Sequence, residues 1–406
     1  MSTKLPASCF PVIKTASVYP ALLLAIIFFI ASRKVTFEKI FQRSLVYFTV
    51  AIAFSLTCIL IQDLFSFQVL GLFLEKSLPL SLKPIASHKA LFLFRSLTYL
   101  MSYSFLSILI WGFVNQITSG KEALKLYIPL ACILGFVGSF VKLLLTPILI
   151  TTNWSLPSHF AFAVMGALLL VLTAAFIFRK YHTKLTDNES SQFDSNKPFH
   201  FPILSSAYLL VGALAAGSFT YVVFQFDLRA QFSSNATAYL SYIGKFSTIS
   251  GSLTFLFTLV WLILGTKVLI NQGINKALKY GVAASALGAI AFFTLFNTKD
   301  MGLLFGQSIS RSILISTTSF LFFPVIQILY LYLPQQVRFQ KKVVTEMVAM
   351  PIIKSSSSFI IQSLIIAFGS LQAAKPYLLT FFALFIAILY LASRSIDSKL
   401  PKLKEA

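Results

Sequence analysis

Charge is scarce in this 406-residue chain: only 11% of its residues are Asp, Glu, Lys or Arg, against about 25% in soluble proteins. Acids are scarcer still, with 12 Asp and Glu facing 33 Lys and Arg for a net charge of +21. With 57% hydrophobic residues, the composition excludes a soluble protein and a disordered, collagen-like or coiled-coil one, and points to the lipid bilayer. The three cysteines, Cys9, Cys58 and Cys132, are too few and too widely spaced for a disulfide framework or a CxxC site. The four histidines, His88, His159, His182 and His200, form no HExxH and have no carboxylate at ligand spacing, so no metal is expected. A P-loop is absent too. Gly120-Lys121 and Gly244-Lys245 are followed by Glu122 and Phe246, where Mg²⁺ chemistry needs a hydroxyl. No enzyme, catalytic residue, cofactor or nucleic-acid partner is therefore expected. Lys4 and Lys14 flank a short mixed stretch with no cleavage site behind it, so the first apolar run is expected to remain in the mature chain.

What is present is a series of apolar runs. A bilayer core of about 30 Å needs about 20 residues of helix, and that rule predicts eleven spans: 16–32, 44–62, 91–114, 127–150, 158–178, 201–224, 239–266, 277–296, 302–333, 346–368 and 376–393. The run 302–333, interrupted only by Arg311 and Pro324, reads as one long or kinked helix. The expected fold class is an all-α polytopic membrane protein. Its domains are an N-terminal bundle of five helices (1–178), a polar linker (179–200) and a C-terminal bundle of six (201–406) with a basic tail. Two bundles joined by a central cytoplasmic loop are the build of many secondary transporters, in which six helices pair with six.

One side carries Arg33, Lys34, Lys39, Arg43, Lys121, Lys125, Arg179, Lys180, Lys184, Lys197, Lys267, Lys276, Lys279, Arg338, Lys341, Lys342, Arg394, Lys399, Lys402 and Lys404. The other side carries Lys4, Lys14, Lys76, Lys83, Lys89, Arg229, Lys299 and Lys375. The excess marks the first side as cytoplasmic and places the linker and C-terminus there, with the N-terminus outside. A bacterial inner membrane is the expected location. Asn153-Trp154-Ser155 and Asn235-Ala236-Thr237 fit the glycosylation pattern on the outer side, which matters only in a secretory compartment.

Ionisable groups inside apolar runs cost about 2.5–3.5 kcal/mol on insertion scales and mark cavities or substrate paths. Here they are all cations: Arg95, Lys142, Lys245, Arg311 and Lys354, with Glu346 the lone acid at the start of its helix. Arg95, Lys245 and Lys354 lie close enough to helix ends to snorkel instead; Arg311 and Lys142 lie deeper. A polyanionic substrate such as a phosphate ester supplies the missing negative charge, which makes Lys142, Lys245, Arg311 and Lys354 candidate phosphate contacts. Gly135 and Gly138, and Gly212 with Gly217, read as helix-packing faces.

Three blocks carry a family resemblance. Trp111-Gly112-Phe113-Val114-Asn115-Gln116-Ile117-Thr118, followed by Glu122-Ala123 and Tyr127, resembles the W-G-x-x-N-Q-I-T…E-A-x-x-x-Y signature of the ATP/ADP translocase family of plastids and obligate intracellular bacteria. Tyr239 to Gly251 is similar to that family's S-x-F-M-G-x-F-S-T-W-T-G segment. Leu333-Pro334 with Arg338, Lys342, Glu346, Lys354 and Ser355 is similar to its I-P-L…K-S block. The resemblance runs from about residue 8 to 390 and implies a major-facilitator-like fold of twelve helices that exchanges nucleotides without hydrolysing them. It implies that the first helix is absent here. It also adds Asn115, Arg229 and Glu346 to the candidate substrate contacts. The chain departs from the family at Gln225, where a Lys is usual, and at Phe323-Pro324-Val325-Ile326-Gln327, where the family has D-P-T-K-E; Pro351 stands in place of an Arg. A nucleotide exchanger is the expected function, with the bilayer and a nucleotide or other phosphorylated metabolite as partners. The alternatives are a proton-coupled carrier of another organic anion, with Glu346 as the proton site, and a non-transporting membrane protein built on the same fold.

Overall fold

The computed structural model describes residues 18–35, 37–60, 109–151, 236–295, 301–333, 335–349 and 371–397, with isolated positions between 169 and 176 and between 352 and 368. Among the described residues all regular structure is helical. The helices are α1 Val18–Lys34, α2 Phe37–Leu60, α3 Trp111–Ile117, α4 Gly120–Thr151, α5 Ala236–Val260, α6 Thr266–Leu295, α7 Met301–Thr317, α8 Phe323–Leu331, α9 Gln335–Val343 and α10 Leu371–Asp397. Three π-helical segments interrupt the series: Trp261–Gly265 joins α5 to α6, Thr318–Phe322 joins α7 to α8, and Val344–Ala349 follows α9.

Local chemistry explains where these elements start and stop. α4 begins at Gly120 rather than near 127 because Ser119 and Glu122 close a capping box. Glu122 Oε2 accepts from the Ser119 backbone N–H at 2.9 Å, and the Glu122 N–H donates back to Ser119 Oγ at 3.4 Å. The expected loop 267–276 is largely helical. Leu269 and Ile274 are buried, and the helical path breaks only at Gly273, whose φ of 82° and ψ of 175° suit glycine alone. The run 302–333 is continuous helix from Met301 to Leu331, as a single kinked element should be. Its π turn ends two residues before Pro324, which lets the helix accommodate a residue without an N–H.

The chain divides into two compact units. The first draws on Met1–Ile117, Asn153–Lys197 and Gln335–Ser355; the second on Thr118–Thr152, Pro198–Pro334 and Ser356–Ala406. The first unit's core joins Ala25 and Phe28 of α1, Ile40, Phe41, Leu45 and Phe48 of α2, Phe113 of α3, and Val343 and Met347 at the end of α9 and beyond.

Among the described residues of the second unit, three stretches are long and apolar enough to cross a membrane: Gly244–Phe292, Leu304–Leu331 and Pro376–Ile396. They differ in what surrounds them. Of the most apolar window, 78% is buried in Leu304–Leu331 but only 22% and 28% in the other two, so the α7–α8 helix is the protein-enclosed one. Ile263, Leu264, Leu287, Ile290, Leu384 and Leu391 turn outward on the others, as lipid-facing residues do. At Gly135 of α4 the Phe320 ring fills the space a Cβ needs, so the expected packing role of that glycine holds. Buried hydroxyls bond backwards along their own helix, Thr254 to the Ser250 carbonyl at 2.7 Å and Thr258 to that of Thr254 at 2.6 Å. These two hydroxyls are thereby satisfied without water.

Candidate functional site

Two polar constellations stand out, one in each unit. In the first unit, the short helix α3 buries Trp111, Phe113 and Asn115. Its Gly112 admits the edge of the Phe37 ring, which a Cβ would meet at 2.9 Å. Phe37 packs edge-on against Phe339 at 5.1 Å, and Phe339 likewise against Phe28 at 6.3 Å. Phe41 reaches Phe113 at 5.9 Å. This aromatic cluster fixes α9 beside α3 and puts Arg338, next to Phe339, at the end of α3. There the Arg338 Nη1 donates to the Asn115 carbonyl at 2.9 Å, a cation on the negative end of a helix.

Arg338, Lys342 and Glu346 follow at four-residue intervals, so they share one side of the segment. Lys342 and Glu346 are buried, at 1% and 0% exposure. The segment Gln335–Val343 lies outside the membrane-length helices. Burial pushes the Lys342 ammonium down to about 8 from its ordinary 10.5; the Glu346 charge opposes the drop and the Arg338 charge adds to it. What this arrangement can do is hold charge where water does not reach, with Asn115 contributing through its backbone.

In the second unit Arg311 of α7 sets its guanidinium 5.1 Å from the centre of the buried Phe246 ring of α5, in cation–π geometry. Ser312 Oγ donates to the Ser250 carbonyl at 2.9 Å and Ser310 Oγ to the Gly288 carbonyl, so α5 and α6 are stitched to α7 around the arginine. One turn before Arg311, Gln307 is 1% exposed, and neither its Nε2 nor its Oε1 has a hydrogen-bond partner among the described residues.

Of the residues singled out in the sequence, the structure groups Asn115 and Glu346 in the first unit and places Arg311 in the second. Lys245 is exposed while its neighbour Phe246 is buried, as successive residues on one helix face apart. Arg229, Lys354 and the Lys142 side chain lie outside the described residues, as do Arg95, Gly212, Gly217 and Gln225; Gly138 is placed within α4. Glu122 and Tyr127 of the first sequence block have structural parts, the one capping α4 and the other fully buried. Sequence reasoning treated Arg338 and Lys342 as loop charges and passed over Gln307. The spacing of 338, 342 and 346 on one helix face was a readable signal for the first two. For Gln307 the signal was its position four residues before an intramembrane arginine.

The family model described as TLC ATP/ADP transporter matches residues 1–400. The chain belongs to that family. It is accordingly an integral membrane protein, and its family is one of transporters rather than enzymes. Similar curated proteins include ADP,ATP carrier protein 1, chloroplastic, of Arabidopsis thaliana, 26% identical over 340 residues, which are 73% of this chain and 52% of the relative. ADP,ATP carrier protein 1 of Chlamydia muridarum is 24% identical over 318 residues, 67% of this chain and 58% of the relative. The chain thus spans about half the length of the curated relatives it matches. Among solved structures, a bacterial homologue of the iron transporter ferroportin in its outward-facing state matches with a TM-score of 0.53 and 13% identity, covering 95% of this chain and 89% of that one. The fold is therefore major-facilitator-like and all-α. At that identity the likeness concerns the fold alone.

Proposed function

We propose that this chain is a secondary transporter that exchanges nucleotides of the ATP and ADP type across a membrane. The observation that carries the reading is the family match along residues 1–400. The chemistry of the second unit supports it: an arginine sits on the most enclosed membrane-length helix, and a guanidinium is the side chain best suited to grip phosphate oxygens in pairs. Arg311 is the proposed phosphate contact. Lys142, Lys245, Arg229 and Lys354 are further cations proposed as substrate contacts, and Asn115 and Glu346 are proposed as polar ones. Residues 1–178 and 201–406 are the proposed halves of an alternating-access carrier, joined by the 179–200 linker, with linker and C-terminus on the cytoplasmic side.

Ligand-dependent melting tests the reading. At 100 times its Kd a nucleotide stabilises the folded protein by about 2.7 kcal/mol. Purified protein is expected to melt higher with ATP or ADP than with equal ionic strength of chloride, and Arg311→Ala to show a smaller shift at the same nucleotide concentration. Identical melting curves with and without nucleotide at millimolar concentration would refute it.

A further inference from the structure

Gln307 is the group that the phosphate contacts leave unexplained. It lies on α7, within the helix of which 78% of the apolar window is enclosed by protein. Its residue exposure is 1%, and both ends of its amide lack a partner among the described residues. Ser312 bonds the Ser250 carbonyl and Ser310 that of Gly288, whereas the buried Ser308 hydroxyl beside Gln307 is, like the amide, without a partner among the described residues. A buried amide with neither donor nor acceptor satisfied destabilises the ligand-free protein, so its presence calls for an occupant that satisfies it. Gln307 also precedes Arg311 by four residues. The two therefore share a helix face, about 6 Å apart along the axis, and the long arginine side chain extends the separation they can bridge.

Resting on the nucleotide reading above, we infer that Gln307 reads the base of the substrate: its amide pairs with the edge of an adenine while Arg311 takes the phosphates. A carboxamide offers one acceptor and one donor side by side. That pair matches the N6 amino donor and the N7 acceptor of adenine. Guanine presents O6 where adenine presents the amino group, so the amide oxygen then faces another acceptor. The buried setting sharpens the distinction, because a mismatched base leaves the amide as unsatisfied as it is without ligand.

The test is competition against labelled ATP bound to purified full-length protein, with ATP, GTP and pyrophosphate as competitors, for the wild type, Gln307→Leu and Gln307→Met. The wild type is expected to prefer ATP over GTP, and both variants to narrow that preference by about five- to a hundredfold, the range of a bidentate amide contact. The ATP constant is expected to weaken relative to the pyrophosphate constant. Without ligand, Gln307→Met is expected to insert and to melt no lower than the wild type, since no hydrogen bond is lost. A variant that keeps the full ATP preference overturns the inference. So does equal competition by ATP and GTP in the wild type, and so does a Gln307→Met protein that fails to insert or melts lower, because its amide then has a structural partner. If no nucleotide binds the wild type at all, the nucleotide reading falls first and this inference with it.

Discussion

Lys342 makes stability depend on pH in a direction that can be worked out from the structure. Its ammonium is held at about 8 in the folded protein against 10.5 ordinarily, chiefly by burial. Below pH 8 the residue is charged in both folded and unfolded states, and the folded state bears the full penalty of a buried charge. Between pH 8 and 10.5 the unfolded chain binds the proton and the folded one does not, so stability rises with pH across that window. At about 1.36 kcal/mol per pH unit, the drop from 10.5 to about 8 amounts to roughly 3 kcal/mol. Other lysines and tyrosines titrate in the same range, so the measurement is a comparison. Thermal melts in detergent at pH 7 and pH 10 are compared for the wild type and for the double variant Lys342→Met with Glu346→Gln. Removing both members avoids leaving a lone carboxylate buried, which is the costly outcome when one partner of a buried pair is deleted. The wild type is expected to gain more stability than the double variant between the two pH values. Equal gains would refute the argument and mean that Lys342 reaches solvent.

Other substitutions follow from the same geometry. Glu122→Ala opens the capping box of α4 and is expected to lower stability by about 1 kcal/mol in a thermal melt, as is Ser119→Ala, while Ser119→Asp retains it. Gly135→Leu must displace the Phe320 ring and is expected to destabilise by at least the ~1–3 kcal/mol typical of overpacking. Gly251→Ala, where a Cβ meets nothing within 4 Å, is the matched control. Arg311→Ala is expected to weaken nucleotide affinity in a binding assay by about 10- to 100-fold, as loss of a charged hydrogen bond does, with Arg311→Lys only partly restoring it.

The all-helical, membrane-embedded class was legible from composition and run length, because a bilayer imposes a length rule that an apolar run either meets or misses. Boundaries followed other rules. Counting apolar residues put the start of α4 near 127, whereas Ser119-Gly120-Lys121-Glu122 already spells the capping signature that starts it at Gly120. Counting also read 267–276 as a loop around Lys267 and Lys276. Both lysines project outward from helix while Leu269 and Ile274 pack inward, and Gly273 alone makes the break. The candidate site was legible only in part. Arg311 declared itself as a charge inside an apolar run. That Arg338 holds the carbonyl of Asn115, 223 residues away, is a tertiary contact no local pattern encodes. Nor does sequence say that Lys342 is enclosed. A run rich in lysine reads as solvated until the aromatic cluster of Phe28, Phe37 and Phe339 is seen to draw α9 inward.

The central claim, nucleotide exchange, is tested most directly by uptake of labelled ATP and ADP into vesicles reconstituted with the chain, loaded or not loaded with unlabelled nucleotide. Uptake that is fast only into loaded vesicles, and that falls with Arg311→Ala at equal protein content, is the predicted result. Well-inserted protein that takes up no nucleotide under either condition would contradict the account.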